Sequence, residues 1–279
     1  EANINWAERL EAVGAQVVYG IVGLKTHAKL LLVTRREEGR LRRYAHLGTG
    51  NYHPSTARLY TDFGLFTCDE DICSDASDVF AQLTGLGKAT KHTHLWQSPF
   101  TLHPQLLKAI RAEISHAKAG QPAAIIAKMN SLLEPEVIQA LYEASCAGVK
   151  IDLIIRGVCA LRPGVPGVSE NIRVRSVIGR FLEHTRIFYF RNNGAQDVYL
   201  SSADWMNRNL FRRIEVAFPV LDPHLKRRVI KEGLDPYLKD NVQTWEMNSD
   251  GSYIRKVSRR AKPVSAQQTL LAAMATPLK

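Results

Sequence analysis

Two stretches of the sequence share one layout, KTHAKLLLV at residues 25–33 and EHTRIFYF at residues 183–190. Each contains a histidine, places a basic residue two positions later, and continues as an apolar run of strand length. Because side chains alternate along a strand, this spacing puts the histidine and the basic residue on the same side. We therefore expect His27 with Lys29, and His184 with Arg186, to begin two equivalent strands.

A second pair of similar segments follows, LGTGN at residues 47–51 and LSSAD at residues 200–204. Both consist of small and polar residues that can end a strand and expose backbone N–H groups. Two such halves facing each other would form a cleft with two imidazoles and two fixed cations. That cleft would hold the nucleophile, proton donor and positive charge that phosphoryl transfer needs. The alternative is that His27 and His184 are unrelated, hydrogen-bonded histidines at strand ends.

Strands alternate with helices along the chain, which predicts an α/β protein with mixed sheets. A change of sequence texture within residues 91–104 places a domain boundary near residue 95. Asn192-Asn193-Gly194 predicts a hairpin turn, and the basic tail from Ser252 is expected to be partly helical. We expect strands at 17–20, 27–33, 43–47, 123–128, 151–156, 174–178, 185–190 and 198–201, and helices at 2–13, 75–84, 105–119, 135–147 and 223–238.

The composition is that of a folded protein, with 279 residues, 45% of them hydrophobic and 23% charged. It excludes a disordered, collagenous or coiled-coil chain, and the length predicts one large or two medium domains. No apolar run approaches the roughly 20 residues of a membrane-spanning helix, and no signal-peptide pattern is visible. The chain begins at Glu1 within an apparent helix, which we interpret as a fragment of a longer protein.

The formal net charge of +10 favours anionic partners such as nucleic acid, phosphorylated ligands or a membrane surface. A solvated basic surface is the alternative. Four cysteines are too few for a disulfide scaffold and predict reduced thiols, with a Cys68–Cys73 bridge left open. His92-x-His94 has no third ligand nearby and is not favoured as a metal site. Candidates for a basic groove are Arg35, Arg36, Arg40, Arg42, Arg43, Arg173 and Arg175.

The two histidine motifs resemble the phospholipase D superfamily, in which two His-x-Lys motifs meet across a pseudo-twofold axis. Thr34 stands where that superfamily has an acid, and Arg186 stands where it has a lysine. Both departures fit one branch, the long-chain-synthesising bacterial polyphosphate kinases, and the similarity weakens after about residue 240. The similar segments are GLKTHAK at 23–29, LGTGNYH at 47–53, LYTD at 59–62, IRGVC at 155–159, EHTR at 183–186 and SSADWMNRN at 201–209.

This resemblance implies two phospholipase D-like α/β domains with mixed sheets, related by internal duplication. They would comprise residues 1–94, truncated at the N-terminus, and residues 95–279, and would form the C-terminal part of such an enzyme. The implied activity is reversible transfer of the terminal phosphate of ATP to polyphosphate through a phosphohistidine, with Mg²⁺. By motif position, His27 is the phosphorylated residue. His184 is the second catalytic histidine, acting as an acid/base or as a phosphate ligand.

Further positions carry expected roles from the same resemblance. Tyr60, Asp62 and Arg156 fall at positions associated with the active site and nucleotide pocket. Lys29, Arg156 and Arg186 are placed to neutralise phosphate charge, the arginines as bidentate forks. We interpret Asp62 as a catalytic carboxylate that orients His27, or alternatively as a strand-end cap. No metal ligand is identified, and Mg²⁺ is expected to be held largely by nucleotide and polyphosphate.

The expected partners are ATP or ADP and inorganic polyphosphate, with a homo-oligomeric parent enzyme, no obligatory nucleic acid and no transmembrane segment. A cytoplasmic location is expected, and peripheral association with the inner membrane is left open. Two other functions also stay open. One is a phospholipase D-type phosphodiesterase, against which Arg186 and the missing acid argue. The other is a non-catalytic fragment that binds polyphosphate but lacks parts needed for turnover.

Overall fold

A mixed sheet of ten strands forms the centre of this computed structural model, which describes residues 2–85, 91–256 and 262–275. The strands in these ranges are β1 (Lys25–Thr26), β2 (Lys29–Glu37), β3 (Arg40–Gly48), β4 (Tyr60–Thr61), β5 (Gly64–Thr67), β6 (Trp96–Ser98), β7 (Ala124–Met129), β8 (Lys150–Ile155), β9 (Ile172–Val177), β10 (Leu182–Glu183), β11 (Arg186–Phe190), β12 (Asp197–Ser201), β13 (Arg213–Pro219), β14 (Thr244–Met247) and β15 (Tyr253–Arg255).

The helices of the same ranges cover both faces of this sheet and flank the smaller ones. They are α1 (Ala2–Ala12), α2 (Pro54–Ala57), α3 (Glu70–Leu83), α4 (Leu102–Lys118), α5 (Pro135–Cys146), α6 (Asn207–Phe211), α7 (Pro223–Gly233), α8 (Asp235–Lys239) and α9 (Ala266–Ala275). Within the described ranges, no helix combines the length and apolarity that a membrane crossing requires.

The large sheet runs in the order β1-β13-β12-β11-β7-β8-β9-β14-β15, and β6 pairs with β13. Strands β7, β8 and β9 are parallel, with α5 connecting β7 to β8 and a loop connecting β8 to β9, whereas β11, β12 and β13 pair antiparallel. The turn between β11 and β12 contains Asn192 and Asn193 at φ values of 42° and 48°. Asparagine tolerates this left-handed backbone, so the predicted hairpin is confirmed.

Side-chain alternation divides the large sheet between two apolar cores. Phe188 and Phe190 of β11 point into the core that α4 and α5 cover. Ile187 and Tyr189 of the same strand point into the other core, which includes residues of α3, α7 and α8. The result is a three-layer α/β arrangement, in agreement with the predicted fold class.

Two short sheets connect the N-terminal residues to this frame. Strands β2, β3 and β5 form an antiparallel sheet whose inner face packs on α3 through Leu47 and Ile72. Strand β4 pairs in parallel with β10, so Tyr60 lies opposite Leu182 and Thr61 opposite Glu183. Strand β1 joins the edge of the large sheet. Strands before residue 95 pair with strands after it, so the sheets do not divide the chain at that point. The domain boundary near residue 95 therefore stays a prediction.

Several predicted elements differ in the structure. Residues 17–20 form no strand and pair with none of the described strands. The helix expected at 223–238 ends at Gly233, and a separate helix begins at Asp235 with Pro236 in its first turn. The basic tail contains β15 and α9, while residues 257–261 and 276–279 lie outside the described residues.

Candidate active site

His27 lies where the chain leaves the large sheet and enters the small antiparallel one. Strand β1 ends at Thr26 and β2 begins at Lys29, so the basic residue rather than the histidine starts the strand. The backbone N–H groups of His27 and Ala28 both donate to the carbonyl of Ile214, each at 2.9 Å. Two hydrogen bonds to one carbonyl hold this junction against β13.

The Nδ1 atom of His27 is 2.8 Å from Oε2 of Glu215, which is fully buried in β13. The same carboxylate accepts from the Ser202 hydroxyl at 2.5 Å and from the Asn209 amide at 2.7 Å. Because an ionised carboxylate only accepts, Nδ1 carries a proton in this contact, and Nε2 is the nitrogen with the lone pair in a neutral ring. Glu215 thus fixes the tautomer that a nucleophilic imidazole needs.

Sequence reasoning missed Glu215, although a signal was available. It is the one acidic residue of RIEVAFP at residues 213–219, a strand that is otherwise largely apolar. A charged residue in a buried strand needs a partner, which makes it a candidate site residue.

His184 is held in the same way by a different carboxylate. Its Nδ1 lies 2.9 Å and 3.0 Å from the two carboxylate oxygens of Asp62, and the Thr49 hydroxyl donates to Asp62 at 2.6 Å. The prediction that Asp62 orients His27 is therefore wrong. The pairing of β4 with β10 carries Asp62 to His184, and Glu215 serves His27 instead.

Arg186 starts β11 as Lys29 starts β2, and it is almost completely buried. Its guanidinium forms two hydrogen bonds with Asp204, at 3.2 Å and 3.0 Å, and Nη1 also lies 3.1 Å from Nε2 of His184. Burial by itself raises the pKa of Asp204. The charge and hydrogen bonds of Arg186, together with hydrogen bonds from Asn130, outweigh burial and hold this pKa below its ordinary value. Arg186 is thus a fixed cation beside the second imidazole.

Lys29 is the basic residue of the first histidine motif, and its charge interacts with that of Arg186 in the second. Burial lowers the pKa of its ammonium to about 8, the charge of Glu215 opposes this, and Arg186 adds to it. Asp62 also acts on Lys29 electrostatically, so the partners of both histidines affect one ammonium. Its Nζ is buried and has no hydrogen-bond partner among the described residues. A buried, unsatisfied cation in this place is suited to an anionic ligand.

Arg156 and Tyr60 complete the group around His184. Arg156 donates to the Asn130 side chain at 2.8 Å and to the carbonyl of Glu183 at 2.9 Å. The rings of Tyr60 and His184 have centroids 5.1 Å apart. Tyr60 and Asp62 also line a cavity of about 270 Å³, which α9 closes on one side.

Residues 1–89 match the family described as "Polyphosphate kinase C-terminal domain 1", and residues 95–267 match "Polyphosphate kinase C-terminal domain 2". The chain belongs to the polyphosphate kinase family.

Relatives in this family are similar over nearly the whole chain. The polyphosphate kinase of Burkholderia lata is 66% identical over 277 residues, which are 98% of this chain and 40% of that protein. The polyphosphate kinase of Paraburkholderia phytofirmans is 63% identical over 275 residues, 97% of this chain and 40% of that protein. The chain thus spans about 40% of the length of these curated relatives.

A solved structure agrees with the fold. The crystal structure of polyphosphate kinase from Porphyromonas gingivalis matches with a TM-score of 0.91 and 39% sequence identity. The match covers 98% of this chain and 42% of that chain.

Other residues predicted for the polyphosphate kinase site lie elsewhere. The hairpin arginines 35, 36, 40, 42 and 43 are exposed, and two of them pair with Glu37. Arg173 binds Asp152 at 2.9 Å. Arg175 is buried and donates to the carbonyl of Leu238, and together with Arg173 it lines a separate cavity, so its place in a basic groove stays a prediction.

The histidines of His92-x-His94 separate rather than converge. His92 contacts Gln97 at 2.8 Å, and His94 lies 3.8 Å from Asp71. Asp75, Asp78 and His92 form the one group of the described residues whose ligand atoms are close enough for a cation. Asp75 already accepts from backbone N–H groups of residues 93–95. All four cysteines are free, so the Cys68–Cys73 bridge is not formed.

Proposed function

We propose that this chain carries the phosphotransfer site of a polyphosphate kinase, which moves the terminal phosphate of ATP reversibly to inorganic polyphosphate. One observation carries the proposal. Two imidazoles, His27 and His184, each have Nδ1 held by a carboxylate. The charges of both carboxylates act on the buried Lys29, and the buried Arg186 contacts the ring of His184. Family membership supports the substrate class.

His27 is the proposed nucleophile because its Nε2 lone pair is free while Nδ1–H is held by Glu215. Nε2 attacks the terminal phosphorus of ATP, the N–P bond forms, and the P–O bond to ADP breaks. The ring becomes cationic, and the Glu215 carboxylate stabilises that charge. A terminal oxygen of polyphosphate then attacks the phosphorus, and the N–P bond breaks with return of the neutral imidazole.

The cations around His184 are proposed to hold the phosphoryl group. Transfer of a phosphoryl group depends on positioning and on neutralising charge at its oxygens. The expected bidentate fork of Arg186 is taken up by Asp204, so Arg186 is proposed to act through its fixed positive charge beside His184. Lys29 supplies a point charge, and Arg156 extends the positive surface. His184 is proposed to bind the transferred phosphate or to exchange a proton with it, since Asp62 keeps its Nδ1 protonated.

The cavity beside His184 is the proposed place for the nucleoside. Its volume is about 270 Å³, and it is lined by the rings of Tyr60, Phe63 and Phe181 together with apolar side chains of α9. A flat base packs well on such surfaces. Arg156 would then act on the phosphates of the same nucleotide.

Mg²⁺ is part of the proposed reaction, and the carboxylates of the site are the side chains that could bind it. Asp62, Asp204 and Glu215 are the carboxylates here, and each already accepts hydrogen bonds from imidazole, guanidinium, hydroxyl or amide groups. These residues fit an ion held mainly by phosphate oxygens and water, which Mg²⁺ tolerates well. When bound with the nucleotide, the ion neutralises phosphate charge.

The proposal includes the setting of the enzyme. Free cysteines support a reducing, cytoplasmic location, with peripheral membrane association as a further option. A homo-oligomeric parent is proposed from family membership alone.

Labelled ATP with Mg²⁺ tests the function directly. We expect acid-labile, base-stable phosphate on the unaltered chain, transfer of that label to ADP, and no label on His27→Ala. The matched control is His224→Ala, which removes an exposed histidine of α7 and should leave labelling unchanged.

The outcomes separate the functions that stayed open. Label that persists in His27→Ala would contradict the choice of nucleophile. Hydrolysis of a phosphodiester without transfer to ADP would support a phosphodiesterase. Salt-sensitive binding of polyphosphate without any labelling would support a non-catalytic fragment.

A further inference from the structure

The carboxylate of Glu183, the residue before His184, gathers hydrogen bonds from three distant elements. It accepts from Nζ of Lys128 in β7 at 2.7 Å and from the Thr61 hydroxyl in β4 at 2.8 Å. It also accepts from Nε2 of Gln267 in α9 at 2.6 Å. Glu183 therefore connects the large sheet, the N-terminal residues and the last described helix.

This cluster is dry and charged. Lys128 is 2% exposed and Glu183 is 4% exposed. Burial lowers the pKa of Lys128 while the charge of Glu183 opposes that change, and its ammonium lies 3.3 Å from the ring centroid of Tyr237. Because burying two charges costs desolvation energy, such a pair is a poor source of stability. The pair instead holds the groups bonded to it in fixed positions.

Those neighbours are residues of the candidate active site. Thr61 directly precedes Asp62, the partner of the His184 ring. The carbonyl of Glu183 accepts from Nε of Arg156 at 2.9 Å. Glu183 thus acts on two residues of the site. Its side chain holds Thr61, next to the Asp62 that orients His184, and its carbonyl holds Arg156.

Gln267 attaches α9 to this arrangement through every polar atom of its amide. Its Nε2 donates to Glu183 and to the carbonyl of Phe181 at 2.9 Å, and its Oε1 accepts from the N–H of Phe181 at 3.0 Å. The helix start is also anchored, because the N–H of Ala266 donates to buried Asp240 at 2.7 Å. Gln267 is 4% exposed, and it also lines the cavity of about 270 Å³ that contains Tyr60 and Phe181.

We propose that Gln267, acting through Glu183, is a positioning residue that sets the orientation of His184 and Arg156 for phosphoryl transfer. The part of this inference that concerns transfer rests on the proposed function. It assigns α9 a role in the active site, although the amide of Gln267 bonds to Phe181 and Glu183 rather than to His184 or Arg156.

The central experiment compares Gln267→Met with Gln268→Met in the full chain. Both substitutions remove one amide from the start of α9 and leave net charge unchanged, but Gln268 is exposed. We expect Gln267→Met to shift the ring ¹⁵N resonances of His184 and to lower kcat for transfer about tenfold, because small misplacements weaken catalysis strongly. Gln268→Met should match the unaltered chain in both measurements.

A second variant guards against loss of folding. Lys128→Met with Glu183→Gln removes both buried charges together, so no uncompensated charge remains. We expect this double variant to unfold cooperatively and to show a shift of the His184 resonances in the same direction as Gln267→Met. A merely structural role would move the unfolding midpoint without moving those resonances.

Unchanged His184 resonances and unchanged kcat in Gln267→Met would overturn the inference. If the unaltered chain shows no transfer, the proposed function fails, but the resonance comparison still decides whether Gln267 positions His184. The two failures are therefore distinguishable.

Discussion

Lys29 is the buried cation of the first histidine motif, and its charge lowers the stability of the folded protein. Burial lowers its pKa from 10.5 to about 8 in the folded protein. Between these pH values the unfolded chain binds more protons, so the free energy of unfolding rises with pH across that window. At 1.36 kcal/mol per pKa unit, the charged ammonium costs about 3 kcal/mol below pH 8. Function and stability are therefore opposed at this residue.

We expect the free energy of unfolding of Lys29→Met at pH 7 to be about 1–3 kcal/mol higher than that of the unaltered chain. We also expect the rate of phosphoryl transfer to fall roughly a hundredfold or more. The stability difference should shrink as the pH rises from 8 towards 10. Urea unfolding at pH 7 and pH 10, combined with transfer assays, checks both expectations. Equal stability at pH 7 would contradict the assigned cost of burial.

Glu215 determines which nitrogen of His27 is free. We expect Glu215→Gln to reduce formation of the phosphohistidine roughly a hundredfold, because a carboxamide neither enforces the tautomer nor stabilises the cationic ring. The rate of label incorporation from ATP is the measurement. Glu246→Gln, the same change on β14, is the control and should incorporate label normally. A normal rate in Glu215→Gln would remove this carboxylate from the mechanism.

At the scale of elements, the turn after β3 depends on a close approach that only glycine allows. A Cβ added at Gly50 would lie 2.1 Å from Oδ2 of Asp62, whereas one at Gly48 would meet atoms at ordinary contact distances of 3.5 Å or more. The loop thus brings its backbone against the carboxylate that holds His184. This is a physical reason for the second glycine in LGTGN.

We expect Gly50→Ala to displace Asp62, to weaken its hydrogen bond with His184, and to lower kcat at least tenfold, since displacement of about 1 Å is enough for such losses. Gly48→Ala should retain most activity, because its added methyl group meets no severe overlap. Steady-state kinetics of the two variants make the comparison. Equal kinetics would show that Asp62 adjusts without functional cost.

Strand pairing explains why the two histidines have different partners. β1 lies parallel to β13 and brings His27 to Glu215, while β4 lies parallel to β10 and brings Asp62 to His184. Both pairings join a residue of the first 61 positions to one beyond position 181. Short strands of two residues therefore organise the site, although their own length contributes little to the sheet.

For the whole molecule, the net charge of +10 predicts salt-sensitive binding of polyphosphate. A polyanion that releases counterions on binding loses affinity steeply with salt. We expect affinity to fall at least about tenfold between 50 and 200 mM salt. Replacing Arg36 and Arg43, which have no ion-pair partner among the described residues, should lower the salt dependence.

Binding titrations at several salt concentrations provide the measurement. Arg228→Ala is the control. This arginine is already paired with Glu232 at 2.8 Å, so its removal should leave the salt dependence of polyphosphate binding unchanged. A salt dependence that is the same in the hairpin variant and the unaltered chain would place the polyphosphate track away from β2 and β3.

The sequence by itself determined the α/β class, most of the strands and helices, and the chemical groups of the site. Local periodicity predicts the strands and helices. The two histidine motifs predict the site residues His27, His184, Lys29 and Arg186. Only the tertiary structure decided which carboxylate serves which histidine. His27 and Glu215 are 188 residues apart, and His184 and Asp62 are 122 residues apart. Hydrogen bonds over such separations depend on strand pairing, which the local periodicity of a sequence does not encode. For that reason the sequence points Asp62 to the wrong imidazole, and the positions of Glu215 and Gln267 become visible only in the fold.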